Sequence, residues 1–241
     1  MNPRFVLPVV ALAACHSHTP AAPPSTTTTT TTSFGYYLLA MTWSPATKDQ
    51  CTLSPAFTLH GLWPNYTEAQ AVGQPQAWPQ FCGAFAHCAG REDASCAPGV
   101  AVPADLAAFA PAYVTGTLAT HEWSKHGSCT RMAPREFFAA ELAAIHSIPH
   151  DANPDAVRAA AGHDLALDEL QRAFGISPES VVLGCTATCE LSQVAFCLGK
   201  DDRDRPTGAT PCTASVTASD YDNGCVVRHC ERVRIPAACA P

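Results

Sequence analysis

Positive charge is scarce in this sequence, and charge of either sign is uncommon. Charged residues make up 15% of the 241 residues, and 14 lysines and arginines stand against 21 aspartates and glutamates. The net charge of −7 argues against a broad basic surface for duplex nucleic acid, although a small cationic cleft does not depend on the net charge. The hydrophobic content of 47% indicates that most of the chain folds, into one domain or two small ones.

The sequence also lacks an apolar run long enough to span a bilayer. The run at Phe5–Ala14 follows a single charge at Arg4, is too short for a membrane span, and ends in the letters LAAC at residues 12–15. These letters resemble a bacterial lipobox, so we expect residues 1–14 to be an export signal and Cys15 to be lipidated. Because residue 16 is not aspartate, resemblance to bacterial sorting rules favours the outer membrane. The alternative is an ordinary secretory signal in which Cys15 is incidental.

The sequence also lacks a pair of Cys-x-x-Cys motifs, although it has thirteen cysteines. This spacing favours an exported disulfide scaffold over a zinc site. Setting Cys15 aside leaves twelve cysteines, an even number that can close six disulfides. Residues 15–33, rich in threonine and proline, predict a tether without packed structure. The folded domain is expected over residues 34–241.

The pattern of apolar residues predicts a single α+β domain, with strands first, helices in the middle and strands last. The first strands are expected at Tyr36–Trp43 and Ala56–His60, the second of them broken by Gly61 and Pro64. The late strands are expected at Val181–Cys185 and Cys189–Leu198, before a loop at residues 200–210 and extended segments stapled to the sheet over residues 212–241. The predicted helices are Ala104–Tyr113, one holding His121 and His126, Pro134–Ile145, Asn153–Ala161 and Asp168–Phe174.

The helix around residue 121 carries an unusual set of side chains. At about 100° per residue, His121, Glu122, Lys125 and His126 lie on one arc, and Trp123 lies opposite, where it can anchor in a core. Four polar groups on one face are often only a solvated surface. A helix C-terminus and a nearby carboxylate both favour the cationic form of His126, so we expect its pKa to be raised.

The spacing of these residues disfavours a zinc protease. The pattern His-Glu-x-x-His needs a histidine four residues after the first, and here that position is Lys125. No serine or cysteine nucleophile is evident, so the set suits a substrate that brings its own nucleophile. RNA does so with its 2′-OH, if one imidazole removes the 2′-OH proton and another protonates the leaving 5′-oxygen. Lys125 would then stabilise charge on the phosphorane oxygens.

Two stretches, FTLHGLWP at residues 57–64 and HEWSKHGSC at residues 121–129, resemble the two catalytic motifs of the ribonuclease T2 (S-RNase-like) family. The resemblance implies a mixed α+β core with a central, mainly antiparallel sheet flanked by helices. It also implies catalytic roles. His126 would be the general base and His60 the general acid, and Glu122 and Lys125 would support the transition state.

The resemblance further implies a set of substrate-binding residues. His121 would bind phosphate, Trp63 would stack on a base, and Asn65 would hydrogen-bond the edge of that base. Leu118 stands where many members carry an aromatic residue, which implies a weaker or differently shaped second base pocket. A disulfide between Cys82 and Cys129 is also implied.

These observations predict a metal-independent, cofactor-free RNA endonuclease that acts as a monomer on single-stranded RNA and spares DNA. A catalytically idle RNA-binding lipoprotein on the same fold is one alternative. A disulfide-rich envelope adhesin whose histidines are incidental is another.

Overall fold

A computed structural model describes residues 33–47, 53–115, 117–213 and 224–237. The predicted signal segment, the tether up to residue 32 and the lipidation site Cys15 lie outside the described residues. Within the described ranges, no helix is both long and apolar enough to cross a bilayer.

The described residues form one five-stranded sheet and one two-stranded sheet. The strands are, in chain order, β1 Tyr36–Trp43, β2 Phe57–Asn65, β3 Asp164–Ala166, β4 Val181–Cys185, β5 Leu191–Lys200, β6 Pro206–Ala209 and β7 Arg232–Arg234. The large sheet has the order β2-β1-β5-β4, with β6 paired to β5, and every pairing in it is antiparallel. The predicted α+β class with an antiparallel sheet is confirmed.

Short helices connect the strands. They are α1 Glu68–Ala71, α2 Ala104–Ala107, α3 Pro111–Thr115, α4 Leu118–Lys125, α5 Pro134–His146, α6 Asp155–Ala159 and α7 Leu167–Arg172. Turns of 3₁₀ helix lie at Ser44–Ala46, Gly83–Cys88, Ala94–Cys96, Gly127–Cys129, Pro149–Ala152 and Pro178–Ser180. Together, strands β1 and β2 and helices α4 and α5 build the part of the fold that carries the site described below.

The two faces of β1 enter different clusters. Tyr37, Leu39 and Met41 point into the main core beneath the helices. Tyr36 and Leu38 point to the opposite face, where the half-buried Trp63 packs. Because side chains alternate along a strand, the large aliphatic and aromatic residues of β1 are buried on both faces, as the sequence predicts.

Several predicted boundaries are wrong. β2 continues through Gly61 and Pro64 to Asn65, because a bulge absorbs the break at Gly61 and an edge strand tolerates a proline. The helix expected over residues 104–113 is two helices, since Pro111 starts a new first turn. The helix expected over residues 153–161 covers only Asp155–Ala159.

The last part of the chain also differs from the expectation. The loop expected over residues 200–210 contains β6, and β7 pairs with β3 rather than with the large sheet. The Cys225 N–H donates to the Leu183 carbonyl of β4, and, as expected, disulfides also staple this part of the chain to the large sheet. They join Cys185 to Cys225, Cys189 to Cys230 and Cys197 to Cys212.

Two further disulfides lie in the first half of the domain. Cys82 is joined to Cys129, the pair that the family resemblance implies, and Cys88 is joined to Cys96. Cys51 and Cys239 lie outside the described residues. A sixth disulfide therefore stays a prediction.

Candidate active site

Strand β2 carries His60, the first histidine of the site, where its pairing with β1 is irregular. In the register with β1, Ala40 lies opposite Gly61 and Met41 lies opposite Leu59, which leaves His60 without a partner residue. A β-bulge of this kind inserts one extra residue and re-aims its side chain. The His60 imidazole is partly exposed as a result, with 38% of the side chain accessible.

Helix α4 delivers the second group of side chains. Trp123 is buried in the main core, as predicted. The helix ends at Lys125, and His126 caps it with its N–H donated to the Glu122 carbonyl. Glu122 was expected on the same surface arc as its polar neighbours, yet it is fully buried because its carboxyl group turns towards β2.

The Glu122 carboxyl group is the centre around which the site is built. Its Oε1 lies 3.6 Å from His60 Nε2, and its Oε2 lies 4.0 Å from His126 Nε2. The Trp63 indole N–H donates to Oε2 at 2.7 Å. One buried carboxyl group thus lies between two imidazoles that come from different parts of the chain.

The Trp63 ring covers the same cluster. It stacks on the His126 imidazole with ring centroids 5.2 Å apart and planes 21° apart, and it meets the His60 ring edge-on at 5.2 Å. Only 4% of the His126 side chain is accessible in this arrangement. The indole therefore fixes both histidines and shields one of them from water.

A second, more exposed layer surrounds this centre. The Lys125 ammonium lies 3.5 Å from His121 Nε2, and His121 Nδ1 lies 2.6 Å from Glu92 Oε1. Glu92 belongs to the loop that the Cys88–Cys96 disulfide closes. This layer presents the Lys125 ammonium and the His121 imidazole to solvent, where they can contact an anion, although the Glu92 carboxyl group beside His121 offsets part of their positive charge.

Burial controls the protonation of the central groups. It lowers the pKa of His60 to about 4, with further lowering by the charges of His121 and Lys125, and it lowers the pKa of His126 well below its ordinary value. It raises the pKa of Glu122 to about 8, against the opposing effect of the Trp63 hydrogen bond. The predicted raised pKa of His126 is wrong, because loss of hydration exceeds the effects of the helix end and the carboxyl group.

Asn65 and Leu118 are more buried than expected for residues that contact bases. Asn65 is buried at 3% exposure, and its amide donates to the Trp63 carbonyl. Leu118 is partly buried against the main core. Contacts of these two residues with bases stay predictions, and the visible role of Asn65 is to fix the backbone at Trp63.

The described residues contain two groups whose ligand atoms lie within 4.8 Å of one another, close enough to share a metal ion. One consists of His121, Glu122 and His126, and the other of His87 with Cys88 and Cys96. In the first group the Lys125 ammonium beside His121 opposes a cation. In the second the two cysteines form a disulfide and offer no thiolate.

Sequence reasoning missed Glu92 and the buried pair of Tyr113 and Glu141 behind β2. Glu92 gives no sequence signal, since its contact depends on how one loop folds. Glu141 does give one, because it lies on the apolar stripe of α5 between Phe137 and Ile145. An acidic residue on such a stripe needs a buried partner.

Known proteins resemble this chain in both sequence and structure. The model of the Ribonuclease T2 family matches residues 34–206. A ribonuclease of Aeromonas hydrophila is 33% identical over 111 residues, which cover 43% of this chain and 41% of the relative. A probable ribonuclease of Haemophilus influenzae is 32% identical over 125 residues, covering 44% and 40%. The matches thus span about two fifths of these relatives.

Two solved structures share the fold. The self-incompatibility-associated SF11-RNase of Nicotiana alata superposes with a TM-score of 0.52 at 16% identity, over 86% of this chain and 100% of that one. RNase NT, solved in complex with 5′-AMP, gives a TM-score of 0.52 at 18% identity, over 85% and 98%. At these identities the likeness establishes the fold alone.

Proposed function

The chain belongs to the ribonuclease T2 family, and from that premise we propose that it is a metal-independent endoribonuclease of single-stranded RNA. The observation that carries this proposal is the placement of His60 and His126 on either side of the Glu122 carboxyl group, within 3.6 and 4.0 Å of it. Two imidazoles facing one small volume can serve as acid and base in the same displacement.

The proposed reaction uses the 2′-OH of the substrate as its nucleophile. His126 accepts the 2′-OH proton as the 2′-oxygen bonds to phosphorus, and His60 donates a proton to the 5′-oxygen as the bond between that oxygen and phosphorus breaks. The products are a 2′,3′-cyclic phosphate and a free 5′-OH. In the second step water opens the cyclic phosphate to a 3′-phosphate, and the two histidines exchange their roles.

The surrounding groups serve the phosphate and the base. Lys125 and His121 lie 3.5 Å apart on the exposed side of the cluster, where they can hold the phosphate and stabilise the charge that develops on it. Glu122 fixes the separation of the two histidines. Trp63, half-buried beside them, offers an aromatic face to a base, and its cover over His126 must shift for the 2′-OH to reach that imidazole.

Binding of the anionic substrate favours the protonated form of His60, which the free protein disfavours. Burial disfavours the cationic forms of His60 and His126 and the anionic form of Glu122. An anionic phosphodiester beside His60 favours its protonated form. The general acid is therefore charged most readily when RNA is bound.

The experiment that tests this function is incubation of the purified full-length protein with single-stranded RNA and with DNA, in EDTA. RNA should be cut and DNA left intact. His60→Ala and His126→Ala should each lower turnover by about 10² to 10⁴-fold, the usual worth of one acid or base step, and keep affinity for a non-cleavable 2′-deoxy analogue. An unaffected His126→Ala enzyme would refute the assignment. Binding without cleavage by the wild type would favour the idle RNA-binding protein.

We also propose that the protein is exported and anchored to the outer membrane through Cys15. The letters LAAC at residues 12–15 support this. The five disulfides of the described residues support an oxidising compartment as well.

A further inference from the structure

The outer edge of β2 faces no neighbouring strand among the described residues, and loops and helices satisfy its backbone groups instead. The Asn153 side chain accepts from the Phe57 N–H and donates to the Phe57 carbonyl. The Leu59 N–H donates to the Phe109 carbonyl. Such matching is needed because an unpaired buried backbone group costs free energy comparable to a lost hydrogen bond.

Further along the same edge, two backbone groups beside the bulge also need hydrogen-bond partners. The His60 carbonyl needs a donor, and it accepts from the Tyr113 hydroxyl at 3.0 Å. The Leu62 N–H needs an acceptor, and it faces the carboxyl group of Glu141. These two backbone groups flank Gly61, so Tyr113 and Glu141 hold the chain on both sides of the bulge.

A count of protons leaves two possible states for this pair. Tyr113 Oη lies 2.8 Å from Glu141 Oε1 as well as 3.0 Å from the His60 carbonyl. The hydroxyl carries one hydrogen and cannot donate to both oxygens. If the Tyr113 hydrogen points to His60, the hydrogen between Tyr113 and Glu141 must come from a protonated Glu141.

The surroundings favour that protonated state. Tyr113 and Glu141 are buried, at 4% and 0% exposure. Burial raises the pKa of Glu141 well above its ordinary value, and the nearby Glu122 carboxyl group raises it further. Glu141 Oε2 is buried and accepts no hydrogen bond among the described residues, which costs less for a neutral acid than for a carboxylate. A neutral carboxylic acid can also donate to Tyr113, whereas a carboxylate can only accept.

We propose that Tyr113 and a protonated Glu141 are positioning residues that fix the bulge at His60 and so aim its imidazole at the leaving 5′-oxygen. This inference rests on the proposed function, because it assumes that His60 takes part in the reaction. Both residues are buried, which places them out of reach of a substrate. Their effect on rate comes through the orientation of His60, for which a displacement of about 1 Å can cost as much as 10²-fold in rate.

The first test is Tyr113→Phe, which removes the hydroxyl and little else. We expect kcat to fall by about 10-fold to 10²-fold while KM stays nearly unchanged. Tyr37→Phe is the matched control, because the Tyr37 hydroxyl also donates to a buried backbone carbonyl, that of Asp204, away from the bulge. Equal kcat values for Tyr113→Phe and Tyr37→Phe would overturn the proposal.

The second test separates a protonated Glu141 from an ionised one. In Glu141→Gln, the introduced amide can donate its N–H to Tyr113, as the protonated acid does. Glu141→Gln should therefore retain wild-type kcat and an unchanged pH profile, and Glu141→Leu should lose kcat as Tyr113→Phe does. Loss of kcat in Glu141→Gln with retention of the fold would contradict the protonated state.

A third measurement keeps this proposal separate from the proposed function. NMR titration of the His60 imidazole in the full-length protein reports its environment whether or not RNA is cleaved. We expect Tyr113→Phe to shift the His60 signals and pKa, and Tyr37→Phe to leave them in place. If the wild type does not cleave RNA, the proposed function fails. If the His60 signals are identical in both variants, the positioning role fails.

Discussion

The Glu122 carboxyl group lies so close to Gly61 that a β-carbon at residue 61 would come within 1.9 Å of Glu122 Oε2. The same β-carbon would lie 2.6 Å from the Trp63 indole nitrogen. The two motifs, residues 57–64 and 121–129, therefore meet at a point where one strand has no side chain. The glycine in the first motif is required by the carboxyl group in the second.

Gly61→Ala should therefore lower kcat/KM strongly and change stability less. The added methyl must displace the Glu122 carboxyl group, which loses its hydrogen bond to Trp63 and its place between the histidines. We expect a loss of at least about 10²-fold in steady-state RNA cleavage. Gly208→Ala is the control, because a β-carbon there has no atom within 4 Å. Equal activity in the two variants would refute the close contact.

Glu122→Gln should stabilise the protein at neutral pH. Burial raises the Glu122 pKa from 4.5 to about 8, so the folded state holds a proton that the unfolded state releases. Stability from this group is complete below pH 4.5 and is lost as pH rises to 8. The amide in this variant keeps a hydrogen bond to Trp63 through its carbonyl oxygen and has no proton to release.

The measurement is Tm against pH for the wild type and the Glu122→Gln variant. The variant should have the higher Tm at pH 8, and the difference in Tm should vanish near pH 4. At this chain length, each kcal/mol in the free energy of unfolding corresponds to about 2 to 4 °C in Tm. The control is Glu169→Gln, at an exposed helix position, which should have the Tm of the wild type at both pH values. A variant less stable than the wild type at every pH would contradict the raised pKa.

Cleavage should be faster at acid pH than at neutral pH. His60 must carry a proton to act as general acid, and burial together with the charges of His121 and Lys125 lowers its pKa to about 4. The value of kcat/KM, which reports the free enzyme, should therefore fall as pH rises through the range 5 to 8. Inorganic phosphate should raise the His60 pKa in an NMR titration. An increase of kcat/KM over this range would exclude His60 as the acid.

The lipid anchor predicts a change in location that leaves the fold intact. Cys15→Ser should release the protein from the membrane fraction of the expressing cells, and mass spectrometry should still find the Cys82–Cys129 and Cys88–Cys96 disulfides. Fractionation of the two proteins side by side is the measurement. Equal membrane binding of the variant and the wild type would rule out lipidation at Cys15.

The sequence was informative where local pattern determines structure. The apolar run of β1 and the helix that holds Trp123 could be predicted from the pattern of residues. The residues that meet around Glu122 followed from the resemblance of two motifs to a known family. The end of β2 could not, because the bulge at His60 is visible only in the pairing of β2 with β1. The pairing of β7 with β3 likewise depends on contacts between residues far apart in sequence.

Burial explains the remaining errors at the site. His126 stands at a helix end beside a carboxyl group, and from sequence that predicts a raised pKa, but the stacked Trp63 ring removes its water and reverses the direction. Glu141 is the opposite case. Its position on the apolar stripe of α5 was readable, and only the fold reveals that its partner is Tyr113.

The most direct test of the central claim is cleavage of a DNA oligonucleotide that carries one ribonucleotide, in EDTA, with the products identified by mass spectrometry. The claim is that the substrate's own 2′-OH is the nucleophile. It predicts a single cut immediately 3′ of the ribonucleotide, a 2′,3′-cyclic phosphate on one product, a 5′-OH on the other, and no cut by His126→Ala. Cleavage at deoxynucleotides, products with 3′-OH and 5′-phosphate ends, or a requirement for added metal would contradict it.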